Sequence, residues 1–214
     1  MKAVTCGAVK SDIAACPMLF RPFGCYNNYV LYHFQEIMNS AGNTYQITGK
    51  PVKKTILLLF IFSLIIRIAF VIPFALYDIP LMTDEIEYFD FSIGYMNILE
   101  GLAHGDMPSS ENILRAYGDG QWPPLNSFLL GFVFFLFGKK IIIARILLAM
   151  LSAVTTVLVY LLSLRISSQK AAAFASLIHI FYVSFIGYSH YLLSETLYIF
   201  LLLLSVYFTF LAHD

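Results

Sequence analysis

TILLLFIFSLIIRIAFVIPFALY, the run from Thr55 to Tyr77, is the first long apolar segment of the chain. It is almost wholly apolar, and about 20 such residues are enough for a helix to cross the ~30 Å hydrocarbon core of a bilayer. The whole chain agrees, because 59% of its 214 residues are hydrophobic and only 12% are charged. A soluble domain carries about 25% charged residues. We therefore expect an all-α, polytopic transmembrane helical protein with juxtamembrane surface helices.

The residues before this run predict its orientation. Lys50, Lys53 and Lys54 precede it, and positively charged ends of spans face the cytoplasm. The run should therefore end outside. Residues 1–54 are expected to be a cytoplasmic tail, disordered or the product of an over-long gene start, because turn-forming residues interrupt them and they lack a signal-peptide core.

Further apolar runs predict the other membrane segments. The run at 125–137 covers only about 20 Å as a helix, which is too short to cross. Charge counting does not decide whether it crosses, and if it did, the segments after it would exchange sides. Length therefore decides, and it favours a surface helix. We expect spans at 55–77, 141–164, 171–189 and 196–211, and surface helices at 84–100 and 125–137.

An acidic island, LMTDEIEY at residues 81–88, follows the first span. Thr83 is the predicted N-cap, with Asp84 and Glu85 in the first turn, where the helix dipole favours negative charge. Carboxylates at the membrane surface also suit chemistry on polar or lipid-linked substrates. Adjacent acids point about 100° apart on a helix, so the second carboxylate must be distant, and Glu195 is the candidate. The alternative is that all three only begin helices.

Two arginines lie within predicted spans. Arg67 is about halfway along the first, and Arg145 is about one turn inside the second. A buried guanidinium needs a carboxylate, a backbone carbonyl or a lipid phosphate as its partner, although Arg145 could instead extend to the surface. His104 and His190 lack a second histidine at ligand spacing. The net charge of zero argues against a nucleic-acid partner.

Five short elements occur in an order that resembles the membrane glycosyltransferases of the GT-C type. The closest resemblance is to the bacterial protein-mannosyltransferase-like group and to the aminoarabinose transferase of lipid A, over roughly residues 55–211. The elements are Thr83-Asp84-Glu85-Ile86-Glu87-Tyr88, Trp122-Pro123-Pro124-Leu125, Leu136-Phe137-Gly138, Ala144-Arg145 and Leu192-Leu193-Ser194-Glu195-Thr196-Leu197.

The resemblance implies an integral membrane enzyme that takes a sugar from a polyprenyl-phosphate carrier and transfers it to a lipid, glycan or protein acceptor outside the cytoplasmic membrane. It implies that Asp84 is the catalytic carboxylate, that Glu85 adjoins it, and that Glu195 is the second acid. Arg145 and Tyr88 are the implied substrate-binding residues. A divalent metal is left open as a cofactor.

Several alternatives remain at this point. Residues 55–214 are expected to be the N-terminal part of such a domain, so the chain is a truncated member of the group. It could instead be a non-catalytic membrane subunit or a decayed remnant whose acids only cap helices. A transporter is a third reading, because intramembrane charges also suit an ion path.

Overall fold

A computed structural model describes residues 50–77, 79–118, 120 and 122–213. The predicted tail at residues 1–54 lies almost entirely outside this part. The described residues contain helices and the turns between them but no strand, so the expected all-α fold is confirmed. The helices are α1 Lys50–Leu76, α2 Thr83–His104, α3 Ser110–Tyr117, α4 Pro124–Phe137, α5 Ile141–Ile166, α6 Gln169–Phe181, α7 Val183–Tyr188 and α8 Glu195–His213.

Three segments of the described chain are long and apolar enough to cross a membrane: Val52–Leu76, Ile141–Ile166 and Glu195–Ala212. Large apolar side chains of α1 stand uncovered, since Leu57 and Leu58 are both 57% exposed. Water penalises such exposure, at about 25 cal/mol for each Å² of apolar surface, whereas lipid tails solvate it. The chain is therefore a helical membrane protein.

The expected span at 171–189 is not one continuous helix. The chain leaves helical geometry at Tyr182, where φ is −68° and ψ is 113°. Two helices result, α6 with 13 residues and α7 with 6. The apolar composition of this segment predicted its helical character but carried no signal for the break. Whether the two helices together cross the membrane stays a prediction.

The two helices of the predicted surface region pack closely on each other. A Cβ atom added at Gly131 of α4 would lie 2.7 Å from the backbone oxygen of Ser92 in α2. A Cβ added at Gly94 would likewise lie 2.5 Å from the backbone nitrogen of Ala116 in α3. Glycine at both positions lets α3 and α4 approach α2 more closely than any side chain allows.

The starts of α2, α5 and α8 meet at one end of the long helices. Arg145, in the first turns of α5, donates to Glu85 at the start of α2, and the backbone of Leu192, just before α8, donates to the same carboxylate. The first turn of α4 also lies here, because Asn126 donates to the backbone oxygen of Leu192. The apolar cluster beneath comprises Tyr88, Ile93, Met96, Leu130, Phe134, Ala144, Leu148 and Leu192.

Candidate active site

Glu85 is the centre of the polar site at this end. Its side chain is only 1% exposed. Oε1 accepts from Arg145 Nη2 at 3.2 Å and from the Leu192 backbone nitrogen at 3.1 Å, and Oε2 accepts from the Met82 backbone nitrogen at 3.0 Å. A buried carboxylate is costly unless it is paired and hydrogen-bonded, and Glu85 meets both conditions.

The start of α2 explains why Glu85 points inward and Asp84 does not. The predicted N-cap at Thr83 is wrong by one residue, because Met82 takes the extended cap geometry with φ −76° and ψ 167°. Glu85 therefore occupies the third helical position, from which a side chain reaches back to the backbone N–H of the cap residue. Asp84, one position earlier, is exposed. Asp84 and Glu85 thus have different surroundings.

Arg145 is buried and paired with a carboxylate. Its side chain is 4% exposed, and its ion pair with Glu85 is 3.2 Å long. The guanidinium lies over the Phe74 ring, 4.3 Å from the ring centre, in cation–π geometry. Nε finds no hydrogen-bond partner within the described part of the chain. Of the partners that the sequence left open for Arg145, the structure shows a carboxylate.

An open cavity of about 400 Å³ adjoins Arg145. It lies between the end of α1, the segment before α2, and the start of α5. Apart from Arg145, the side chains that line it are apolar, and the cavity could take a ligand with an anionic group and a hydrocarbon portion. The lining residues are Phe74, Ala75, Ile79, Pro80, Leu81, Ile141, Ile142 and Arg145.

Tyr88 lies near both Asp84 and Glu195. Its hydroxyl donates to Ser194 Oγ at 2.9 Å, and its ring packs edge-on against Trp122. Burial raises the pKa of the Tyr88 hydroxyl, the negative charges of Glu195 and Asp84 raise it further, and the hydrogen bond with Ser194 opposes them. Both carboxylates therefore lie close enough to Tyr88 for their charges to act on it.

Glu195 is half-buried at the first position of α8. Its Oε2 atom is fully buried, yet it has no hydrogen-bond partner within the described residues. A buried carboxylate oxygen that accepts no hydrogen bond is uncommon in native proteins. Glu195 thus has accepting capacity to spare, unlike Glu85.

The segment before Glu195 is held by aromatic contacts as well. The His190 ring stacks on Phe70 and tilts against Phe74, with ring centres 5.9 and 5.4 Å apart. Burial lowers the pKa of His190 to about 4, helped by the charges of Arg145 and Arg67. The ring is therefore neutral at pH 7.

The second histidine singled out from the sequence, His104, is exposed at the far end of α2.

Asn126 is a site residue that the sequence reasoning missed. It lies in the first turn of α4 and is 1% exposed, and its Nδ2 donates to the Leu192 backbone oxygen at 3.1 Å. The available signal was an amide side chain at the start of an otherwise apolar run. The Leu192 backbone, which bonds both Asn126 and Glu85, carried no signal at all.

Arg67 lies apart from this site, in the interior of the helix bundle. Nε donates to Ser152 Oγ at 2.6 Å, and Nη1 donates to Ser63 Oγ at 2.5 Å and to the Ser63 backbone oxygen at 3.4 Å. His179 Nδ1 lies 3.5 Å from Nη2. The expected partner is thus a backbone carbonyl supported by neutral side chains, and in the described residues no carboxylate is paired with Arg67.

Metal ligation has no obvious location in the described residues. No three side chains of His, Cys, Asp or Glu are grouped there so as to hold an ion. The site's polar groups are instead carboxylates, one guanidinium, one amide and two hydroxyls.

Comparison with known proteins gives one family match. Residues 121–214 match the family model described as dolichyl-phosphate-mannose-protein mannosyltransferase, which is of the GT-C type. The resemblance to GT-C type membrane glycosyltransferases is therefore confirmed over this part of the chain. No curated protein and no solved structure matches the chain significantly.

Proposed function

We propose that the protein is a glycosyltransferase that moves a sugar from a polyprenyl-phosphate carrier to an acceptor on the outer side of the cytoplasmic membrane. The family match over residues 121–214 supports the class of enzyme. The observation that carries the proposal is the contact of Arg145, from the matched part, with Glu85 from the part before it. This contact places Arg145 beside the first turn of α2, which also carries Asp84, and the Leu192 backbone, three residues before Glu195, donates to the same carboxylate.

The outer location rests on the charges at the other end of α1. Lys50, Lys53 and Lys54 precede or begin the first span, and such ends stay in the cytoplasm. The site lies beyond the opposite end of this span, at Glu85. A carrier lipid in the outer leaflet would reach it from the membrane.

The proposed reaction needs one base and one cation. The acceptor hydroxyl oxygen attacks the anomeric carbon of the sugar, the bond from that carbon to the phosphate oxygen breaks, and the phosphate leaves with the electron pair. Asp84 takes the hydroxyl proton, a role that its exposure allows. Arg145 faces the cavity and stabilises the charge that develops on the departing phosphate.

The other two acids have separate roles in this scheme. Glu85 accepts three hydrogen bonds, so it holds Arg145 in place and does not take a proton from substrate. Glu195, which is half-buried, orients a hydroxyl of the sugar or the acceptor. Tyr88 donates to Ser194, the residue before Glu195, and contributes to substrate binding.

A transfer assay with the full chain in lipid vesicles tests this proposal. The donors are labelled polyprenyl-phosphate sugars, with the mannose form among them. We expect Asp84→Asn to lower the transfer rate by roughly 100-fold or more, because general-base catalysis contributes about that much. Glu195→Gln should lower it by roughly 100-fold, because misplacing a reacting group by about 1 Å can cost that much. Glu87→Gln is the matched control, since Glu87 is exposed on the same turn of α2.

Three outcomes would decide the matter. Loss of transfer in the two site variants, with Glu87→Gln unaffected, is the expected result. Unchanged turnover in Asp84→Asn would remove Asp84 from the mechanism. Absence of transfer from every donor by the unaltered chain would favour the non-catalytic membrane subunit.

A further inference from the structure

The backbone of Leu192, which lies between the acids of the site, is held at both its N–H and its C=O. The Leu192 N–H donates to Glu85 Oε1, and the Leu192 oxygen accepts from Asn126 Nδ2, each at 3.1 Å. The Leu192 side chain is 0% exposed. We propose that Asn126 is a positioning residue, which acts through the Leu192 backbone to hold the segment from residue 189 to Glu195. This inference rests on the proposed function.

The chemistry of position 126 favours a positioning role over simple packing. The other residues of α4 are mostly apolar, yet the buried Asn126 leaves its own Oδ1 without a partner among the described residues. An unpartnered buried amide oxygen costs free energy that an apolar side chain would not. A position selected only for packing would therefore be apolar. What the amide supplies is a donor to a buried carbonyl.

The consequence of this hydrogen bond extends to both functional ends of the segment. On one side, Leu192 shares the Glu85 carboxylate with Arg145. On the other side, Ser194 Oγ accepts a hydrogen bond from the Tyr88 hydroxyl, and Glu195 is the next residue. Without Asn126, the Leu192 oxygen would lose its partner, and the segment could shift relative to α2. Misplacement of a catalytic group by 1 Å can cost about 100-fold in rate.

Two substitutions separate donation from packing. Asn126→Ala removes the amide, whereas Asn126→Asp keeps its shape and replaces the donor with a carboxylate that repels the Leu192 oxygen. Ser127→Ala is the matched control. Ser127 is the next residue of α4, is also 1% exposed, and its Oγ has no partner in the described part of the chain.

The first readout is independent of activity. In the full chain in detergent, hydrogen exchange is measured for the amides of residues 189–195. We expect both Asn126 variants to exchange roughly 10-fold faster there than the unaltered chain, because the opening free energy of the segment falls. Ser127→Ala should match the unaltered chain. Equal exchange in all four proteins would overturn the proposal.

The second readout is the division between kcat and KM in the transfer assay. We expect both Asn126 variants to lose roughly 10-fold to 100-fold in kcat, with the donor KM within about twofold, because Arg145 still binds the phosphate. A change confined to KM, or an equal loss in Ser127→Ala, would overturn the positioning role. If the exchange difference appears but the unaltered chain transfers no sugar, the proposed function fails and the hold on Leu192 stands.

Discussion

Two arginines within the apolar helices of this protein have opposite surroundings. Arg67 is 0% exposed, and neutral atoms of Ser63 and Ser152 accept its hydrogen bonds. Arg145 is paired with the carboxylate of Glu85, keeps Nε without a partner in the described residues, and borders a cavity of about 400 Å³. Arg67 is enclosed by protein atoms, whereas Arg145 lines an open cavity.

The difference separates a structural cation from a functional one. The Arg67 cluster connects three helices, since Ser63 is on α1, Ser152 and Thr156 are on α5, and His179 is on α6. Its hydroxyls also bond one another, with Ser63 Oγ 2.8 Å from Thr156 Oγ1. A hydrogen-bond network of this kind holds helices together inside a membrane. An arginine that lines an open space is instead suited to an anionic ligand.

The largest effect on stability should come from Glu85→Gln. This change leaves Arg145 buried without a charge partner, and breaking one side of a buried pair costs about 3–5 kcal/mol. Glutamine still offers one oxygen, so it can keep the bond from either Leu192 or Met82 but not both. The measurement is the free energy of unfolding in mixed micelles.

Glu87→Gln is again the control for this prediction, because it makes the same chemical change at an exposed position. It should alter the free energy of unfolding by less than about 0.5 kcal/mol. If Glu85→Gln lowered the free energy of unfolding as little as Glu87→Gln does, the pair with Arg145 would not stabilise the fold.

A smaller effect is expected for Arg67→Met. The substitution removes the buried cation itself, and it leaves only neutral hydroxyls that can rebond to one another and to helix carbonyls. We expect a loss of about 1–3 kcal/mol in the free energy of unfolding, as for buried neutral groups that lose a partner. Transfer per folded molecule should be unchanged.

Ile65→Met provides the comparison for Arg67→Met. Ile65 is on the same helix and is 60% exposed, so the change should have little effect on unfolding. If Arg67→Met abolished transfer while the protein remained folded, the distinction between the two arginines would be broken.

The sequence predicted the long helices well because their signal is local. A run such as Thr55–Tyr77 has the length and composition that a membrane requires, and no distant contact is needed to recognise it. The helix at Pro124–Phe137 was also visible from its apolar run. The break at Tyr182 was not, since nothing in the composition of the surrounding segment distinguishes it.

The site was harder to predict, because it depends on small shifts and distant contacts. Asp84 and Glu85 are adjacent, and only the N-cap at Met82 decides that Glu85 turns inward. The pair with Arg145 joins residues 60 positions apart, and periodicity cannot show such a contact. The bond from Asn126 to Leu192 involves a backbone oxygen, which every residue possesses. The functional assignment of Asp84 and Glu195 stays a prediction.

Carrier-phosphate binding is the measurement that tests the central distinction most directly. Binding of a polyprenyl phosphate would be compared for the unaltered chain, Arg145→Gln and Arg67→Gln, with each corrected for its folded fraction. We predict that Arg145→Gln weakens binding by roughly 10-fold or more, as expected for loss of a charge-assisted hydrogen bond, and that Arg67→Gln binds like the unaltered chain. Equal binding by all three proteins, or a loss confined to Arg67→Gln, would contradict the assignment of Arg145 as the phosphate-binding residue.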